Sequence, residues 1–162
     1  MDNFGFAKEL VSVFREKRCT LSFAESCTGG LCSATVVSVA GASDIFYGGV
    51  VSYDNSVKKS LLFVPESVLS TVGAVSEECA IAMANGARKQ CGTDIAVSVT
   101  GIAGPGGGTK EKPVGLVYVG VASARGAYAK KLLLCDAGDR TAIRERSVFE
   151  VLSAALDEIN MI

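Results

Sequence analysis

Short β-branched and aromatic runs alternate along this chain with segments whose apolar residues recur every three or four positions, and no other feature narrows its fold as much. Strands and helices in that order bury their apolar faces against one another, so the alternation points to helices packed on a sheet. Phe6, Leu10, Val13 and Phe14 share a helical face between about Phe4 and Lys17, behind Asp2 or Asn3 as cap. Thr20 to Ala24 reads as a short strand, Leu31 to Val39 as a helix and Phe46 to Tyr53 as a second strand. Asp54 or Asn55 can cap a helix running through Lys58 to Phe63, and a helical turn follows Pro65. Ser76 opens a longer helix with Ala80, Met83, Ala84 and Ala87 on its buried side. Asp94 to Thr100 is an apolar strand, and Val114 to Ser123 and Tyr128 to Leu134 make a hairpin across Arg125 and Gly126. Asp139 caps a last helix with Ile143, Val148, Val151, Leu152, Ala155 and Ile159 as its core stripe. The expectation is an α/β protein: a three-layer α/β/α sandwich on a mixed, mostly parallel sheet, with residues 1–162 as a single domain.

Composition excludes several kinds of chemistry. The chain has no histidine, which removes Ser-His and Cys-His catalytic pairs, imidazole metal sites and a histidine base. With 16 basic and 17 acidic residues it carries no electrostatic footprint for nucleic acid or an anionic membrane. The six cysteines show no CxxC spacing, so they read as reduced thiols of a cytoplasmic protein rather than zinc ligands. Charged residues from Asp2 to Arg18 interrupt any signal segment, and the uncharged stretch Ser26 to Ser43 is too rich in Ser, Thr and Gly to span a bilayer. A charged fraction of only 20% leaves apolar surface that a homo-oligomer could bury.

Four segments could carry chemistry. Glu25 to Gly30 lies where a strand ends and small residues lead into a helix, whose unpaired amides and partial positive charge can stabilise an oxyanion or a phosphate. Ser26 there is a nucleophile, or else Ser26 or Thr28 is merely a helix cap, and Cys27 is a rival nucleophile because a thiol at a helix start has a lowered pKa. Without histidine the base must be lysine, a carboxylate or tyrosine. Tyr53 to Lys58 follows the second strand; if both strands are adjacent and parallel they end at one sheet edge, and Lys58 can reach Ser26. Burial would keep Lys58 neutral; otherwise it is a solvated lysine like Lys59. The run from Thr100 to Gly108 lacks the Lys-Ser/Thr ending of a P-loop and does not fit the dinucleotide fingerprint, which leaves an anion-binding nest or a mobile loop. Arg140 and Arg144, one turn apart, could clamp a phosphate or carboxylate or simply aid solubility.

Glu25-Ser-Cys-Thr-Gly-Gly30, Tyr53-Asp-Asn-Ser-Val-Lys58, Gly73-Ala-Val-Ser-Glu77, Thr100-Gly-Ile-Ala-Gly-Pro105, Lys112-Pro-Val-Gly115 and Gly138-Asp-Arg140 occur in this order. With these motifs the chain resembles the CinA C-terminal domain family, the nicotinamide-mononucleotide deamidases or nicotinamide-nucleotide amidohydrolases, over nearly its whole length. It looks like the stand-alone form, with nothing corresponding to the additional N-terminal domain of longer CinA proteins. The resemblance implies hydrolysis of the carboxamide of nicotinamide mononucleotide to nicotinic acid mononucleotide and ammonia, in pyridine-nucleotide salvage. It implies Ser26 as nucleophile, Lys58 as base and Tyr53 nearby, with neither metal nor cofactor. Substrate binding is expected of Thr28, Gly29, Gly30, Asn55, Thr100, Gly101, Gly104, Arg140 and Arg144, with the phosphate on Arg140, Arg144 or the Gly104 to Gly108 loop. Amides at the start of the helix after Ser26, or in the loop after Thr100, would hold the oxyanion. The alternative is a non-catalytic nucleotide-binding or regulatory module of the same fold.

Overall fold

In the computed structural model, which describes residues 2–162, the central strand β1 (Leu21–Glu25) is buried at every position. It pairs in parallel with β2 (Phe46–Val51) on one side and β3 (Ile95–Gly101) on the other. The hairpin β4 (Leu116–Ser123) and β5 (Gly126–Leu133) completes the sheet in the order β2-β1-β3-β4-β5. β3–β4 and β4–β5 are antiparallel, so four strands run one way and β4 alone runs against them.

Helices α1 (Asn3–Lys17), α2 (Leu31–Val37) and α6 (Arg140–Asn160) cover one face; α3 (Asn55–Leu62), α4 (Glu66–Thr71) and α5 (Glu77–Cys91) cover the other. Successive strand residues divide between the two cores, as the pleat requires. Phe23 and Val97 enter the cluster with Leu10, Phe14 and Leu152, while Ala24 and Ala96 enter the one with Leu62, Met83 and Ala87. The small side chains on the second face let α5 approach closely. Ser98 Oγ donates to the Ala80 carbonyl at 2.6 Å, and a β-carbon on Gly120 would overlap that carbonyl.

Most helix starts carry the expected caps: Asp2 accepts from the Gly5 amide, Asp54 rather than Asn55 from Ser56, Ser76 from Cys79 and Asp139 from Ala142. Boundaries shift where the backbone has other partners. β2 ends at Val51, because the chain then turns toward the Asp54 cap, although the Ser52 amide still reaches the Glu25 carbonyl at 2.8 Å. β4 begins at Leu116 rather than Val114, since Gly115 has φ +91° and lies against the backbone of Leu134 and Cys135. Ala124 and Arg125 form the two-residue hairpin turn, and Gly126 already belongs to β5.

Because β1, β2 and β3 are parallel, the segments that follow them emerge at one edge. From β1 the chain passes along one face to β2, and from β2 along the other face to β3, so a crevice opens above the ends of β1 and β3. The position of α3 in that crevice depends on Gly86 of α5, where a β-carbon would overlap the Leu62 carbonyl. Gly86→Ala is therefore expected to destabilise the fold despite a helix-propensity gain of about 1 kcal/mol. Overpacking against backbone, with no flexible side chain to give way, sits at the upper end of about 1–3 kcal/mol, so the net loss is about 2 kcal/mol and the fall in Tm roughly 4–8 °C by calorimetry. An unchanged or higher Tm would show that α3 and α5 are not in contact at this glycine.

Candidate active site

Ser26 is the first residue beyond β1, and its amide still donates to the Val99 carbonyl of β3 at 3.0 Å. The side chain is 8% exposed and lines a cleft of about 200 Å³ at the sheet edge. Lys58 reaches it from the first turns of α3. Its Nζ lies 3.0 Å from Ser26 Oγ, 2.6 Å from the Ser52 carbonyl and 3.1 Å from the Tyr53 carbonyl. The residue is 1% exposed and has no carboxylate partner among the described residues. Burial lowers its pKa below the ordinary lysine value, against the opposing influence of Cys79, Asp54 and Cys27. A neutral amine has two N–H donors and one lone pair. In the charged form Nζ donates to all three oxygens; in the neutral form the two carbonyls take the donors and the lone pair is left for the serine hydroxyl. Lys59, its neighbour, behaves as a surface lysine should and pairs with Glu66 at 2.8 Å.

Glu25 organises the turn around Ser26, a role that sequence reading did not assign. Its fully buried carboxylate accepts from Thr28 Oγ1 at 2.7 Å and from the amides of Gly30 and Cys32, both at 3.0 Å, on one oxygen. The other accepts from the amide and hydroxyl of Ser33 at 2.9 and 2.7 Å. The only sequence signal was a glutamate at the end of a mostly apolar strand, a short loop before a helix. Because Glu25 occupies these amides, the start of α2 is not open to an oxyanion or phosphate, contrary to the expectation for Thr28, Gly29 and Gly30. Gly29 donates its amide to the Ser26 carbonyl at 3.1 Å, and none of the three lines the cleft. Among the described residues the Thr28 amide has no acceptor and the Cys27 amide reaches only its own sulfur.

Cys27 is not an activated thiol. It is 6% exposed, and burial pushes its pKa up to about 11, with only smaller lowering effects from its own backbone and Arg144. The helix start that would have lowered it lies at Leu31 and is already neutralised by Glu25. All six cysteines are free.

Comparison with known proteins shows the family and the fold. Residues 4–159 match the CinA C-terminal domain model. The chain belongs to the CinA C-terminal domain family. It is 53% identical over 135 residues to a CinA-like protein of Geotalea uraniireducens, covering 83% of this chain and 32% of that protein. It is 50% identical over 143 residues to a CinA-like protein of Kosmotoga olearia, covering 88% of this chain and 34% of that one. The chain thus spans about a third of the length of the curated relatives it matches. The crystal structure of competence/damage inducible protein CihA from Agrobacterium tumefaciens superposes with TM-score 0.94 at 38% identity, covering 99% of this chain and 96% of that one. A CinA superfamily protein from Klebsiella pneumoniae 700603 gives 0.94 at 26% identity, with both chains fully covered.

The remaining sequence candidates of this CinA domain form the walls and mouth of the cleft. Thr100 lines it, but its hydroxyl donates to the Ala74 carbonyl at 2.9 Å and holds the opposite wall of Ala74 and Val75. Gly101 is also in the wall, where a β-carbon would press on Val117 and the Leu116 carbonyl. At the mouth stand Asn55, Tyr53 and Arg140. Arg140 donates to the Gly104 carbonyl at 2.7 Å and to the Tyr53 hydroxyl at 3.2 Å. Tyr53 thus meets Lys58 through its carbonyl, while its phenol, on a residue 62% exposed, faces Arg140. Gly104 does not line the cleft, and neither does Arg144, which binds the carbonyls of Cys27 and Thr28. The two arginines therefore do not form a shared clamp. A larger cavity of about 260 Å³ beside Asn3, Ala142 and Arg146 contains no nucleophile and base in contact.

The buried amine has a consequence for stability. Folding lowers the Lys58 pKa, so the unfolded chain binds the extra proton and stability rises with pH. The window opens at the depressed pKa and closes near the ~10.4 of an unfolded lysine. Lys58→Met removes this contribution. The difference in unfolding free energy, wild type minus variant, is expected to grow with pH in that window, by up to about 1.4 kcal/mol per unit, in urea titrations. A pH-independent difference would mean that Lys58 titrates normally.

Proposed function

We propose that this CinA domain is a serine amidohydrolase that converts nicotinamide mononucleotide to nicotinic acid mononucleotide and ammonia. The observation that carries the reading is the 3.0 Å contact between Ser26 Oγ and a buried Lys58 without a counter-charge. A module that only binds a nucleotide has no use for a lysine desolvated against a serine. Neutral Lys58 takes the hydroxyl proton as Ser26 Oγ attacks the carboxamide carbon. The negative charge forming on the carboxamide oxygen is received by the amide of Cys27, which lines the cleft and donates to no carbonyl among the described residues. The resulting Lys58 ammonium passes its proton to the departing nitrogen, and ammonia leaves as the acyl-enzyme forms. Water then attacks the ester carbonyl, gives a proton to Lys58, and the acid departs as the proton returns to Ser26 Oγ.

The cleft of about 200 Å³ is smaller than the roughly 300–1,000 Å³ of sites that enclose drug-sized ligands, so it suits the reacting ring. The ribose phosphate then lies at the mouth, near Asn55, Tyr53 and Arg140. Arg140 is the available cation there for the phosphate, and its contacts with the Gly104 carbonyl and Tyr53 hydroxyl hold it in place.

Ammonia release and product mass should be measured with nicotinamide mononucleotide, nicotinamide riboside and nicotinamide side by side. The mononucleotide is expected to be the best substrate. Ser26→Ala should lower kcat at least about 10³-fold and Cys27→Ser should not. Lys58→Arg should also abolish turnover, because a guanidinium stays protonated and cannot act as base. In wild type kcat/KM should rise with pH through a pKa below that of ordinary lysine. Wild-type turnover in Ser26→Ala or Lys58→Arg would sink the Ser26–Lys58 mechanism.

A further inference from the structure

Arg144 stands one turn beyond Arg140 on α6, yet its guanidinium serves the turn that carries the nucleophile. Nε donates to the Cys27 carbonyl at 3.1 Å and Nη2 to the Thr28 carbonyl at 2.8 Å. The side chain is half-buried and makes no ion pair among the described residues.

In a trans peptide the C=O and the next residue's N–H point in opposite directions. Holding the Cys27 carbonyl therefore aims the Thr28 amide away from the guanidinium. Holding the Thr28 carbonyl likewise orients the Gly29 amide, which donates to the Ser26 carbonyl. That bond fixes the Ser26–Cys27 peptide and, with it, the Cys27 amide. One guanidinium thus sets the direction of the two N–H groups after Ser26 that donate to no carbonyl among the described residues. Donation into the Cys27 carbonyl also polarises that peptide and strengthens its N–H as a donor. Glu25 secures the far end of the same turn through Gly30, Cys32 and Ser33.

We propose that Arg144 is a positioning residue that builds the oxyanion site, acting through the Ser26–Gly29 turn without touching substrate. This rests on the amidohydrolase reading of Ser26 and Lys58. The role requires arginine: two carbonyls on consecutive residues need two donors in a rigid fork, whereas an ammonium is a point donor.

The test is Arg144→Met and Arg144→Lys, with kcat and KM measured for nicotinamide mononucleotide and nicotinamide riboside. Arg144→Met should lower kcat about 10²–10³-fold for both substrates, the scale of a lost oxyanion donor, with KM changed by less than about threefold. The pH midpoint assigned to Lys58 should stay in place, and Arg144→Lys should recover part of the rate. A rise in KM for the mononucleotide alone, with kcat intact, would put Arg144 on the phosphate and overturn the proposal. Amide hydrogen exchange tests the clamp independently of turnover. Arg144→Met should speed exchange of the Gly29 amide about tenfold while Ser26, bonded to Val99, stays protected. If wild type releases no ammonia, the amidohydrolase reading fails and the exchange result alone decides the clamp. Unchanged Gly29 exchange in both variants overturns it.

Discussion

The parallel pairing of β1 with β2 and β3 is the constraint from which the site follows. Parallel strands end at the same edge, so the segments after Glu25, Val51 and Gly101 meet although 75 residues of chain lie between the first and the last. The two crossovers run over opposite faces, which keeps α2 and α3 apart and leaves the crevice between them open. An antiparallel β1–β2 pair would send Lys58 to the far end of the sheet. The hairpin β4–β5 can be antiparallel without consequence for the dyad, because it only closes the other side of the sheet.

Two buried charged residue types meet this crevice and are treated in opposite ways. Glu25 is surrounded by five donors on Thr28, Gly30, Cys32 and Ser33, enough to satisfy a carboxylate, and it becomes a rigid part of the backbone turn. Lys58 meets only neutral acceptors, two carbonyls and a hydroxyl. No carboxylate pairs with its ammonium, and desolvation outweighs the raising influence of Cys79, Asp54 and Cys27, so its pKa falls. The first arrangement holds a charge in place and the second disfavours one, and the difference lies in the partners rather than in the depth of burial.

Much of the fold was legible because its signals are local. Asp54, Ser76 and Asp139 cap the helices they precede, and the stripe Ile143, Val148, Val151, Leu152 and Ile159 is buried on α6. Misplaced boundaries fell where a distant segment competes, as at Gly115 against Leu134 and Cys135. In the site, Ser26 and Lys58 were legible as candidate types once histidine was absent. Arg144, Thr100 and Gly104 were read as ligands, but Arg144 and Thr100 donate to carbonyls 117 and 26 residues away, and the Gly104 carbonyl accepts from the Arg140 guanidinium 36 residues away. Local spacing holds no record of such bonds. The Cys27 thiol was misjudged for the same reason: an N-terminal helix charge lowers a thiol pKa only where it is not already neutralised, and Glu25 neutralises this one.

By itself the amino-acid sequence determined the alternation of strands and helices, the caps, the absence of imidazole chemistry and the residue types left for a nucleophile and a base. These are properties of short windows and of composition, and they survive in any arrangement of the elements. Only the tertiary structure decided that Lys58 is buried without a counter-charge 3.0 Å from Ser26, that Glu25 rather than a ligand fills the start of α2, and that Arg144 faces the backbone while Arg140 faces the cleft mouth. Desolvation and hydrogen-bond satisfaction depend on which distant groups arrive at one place, and strand order settles that.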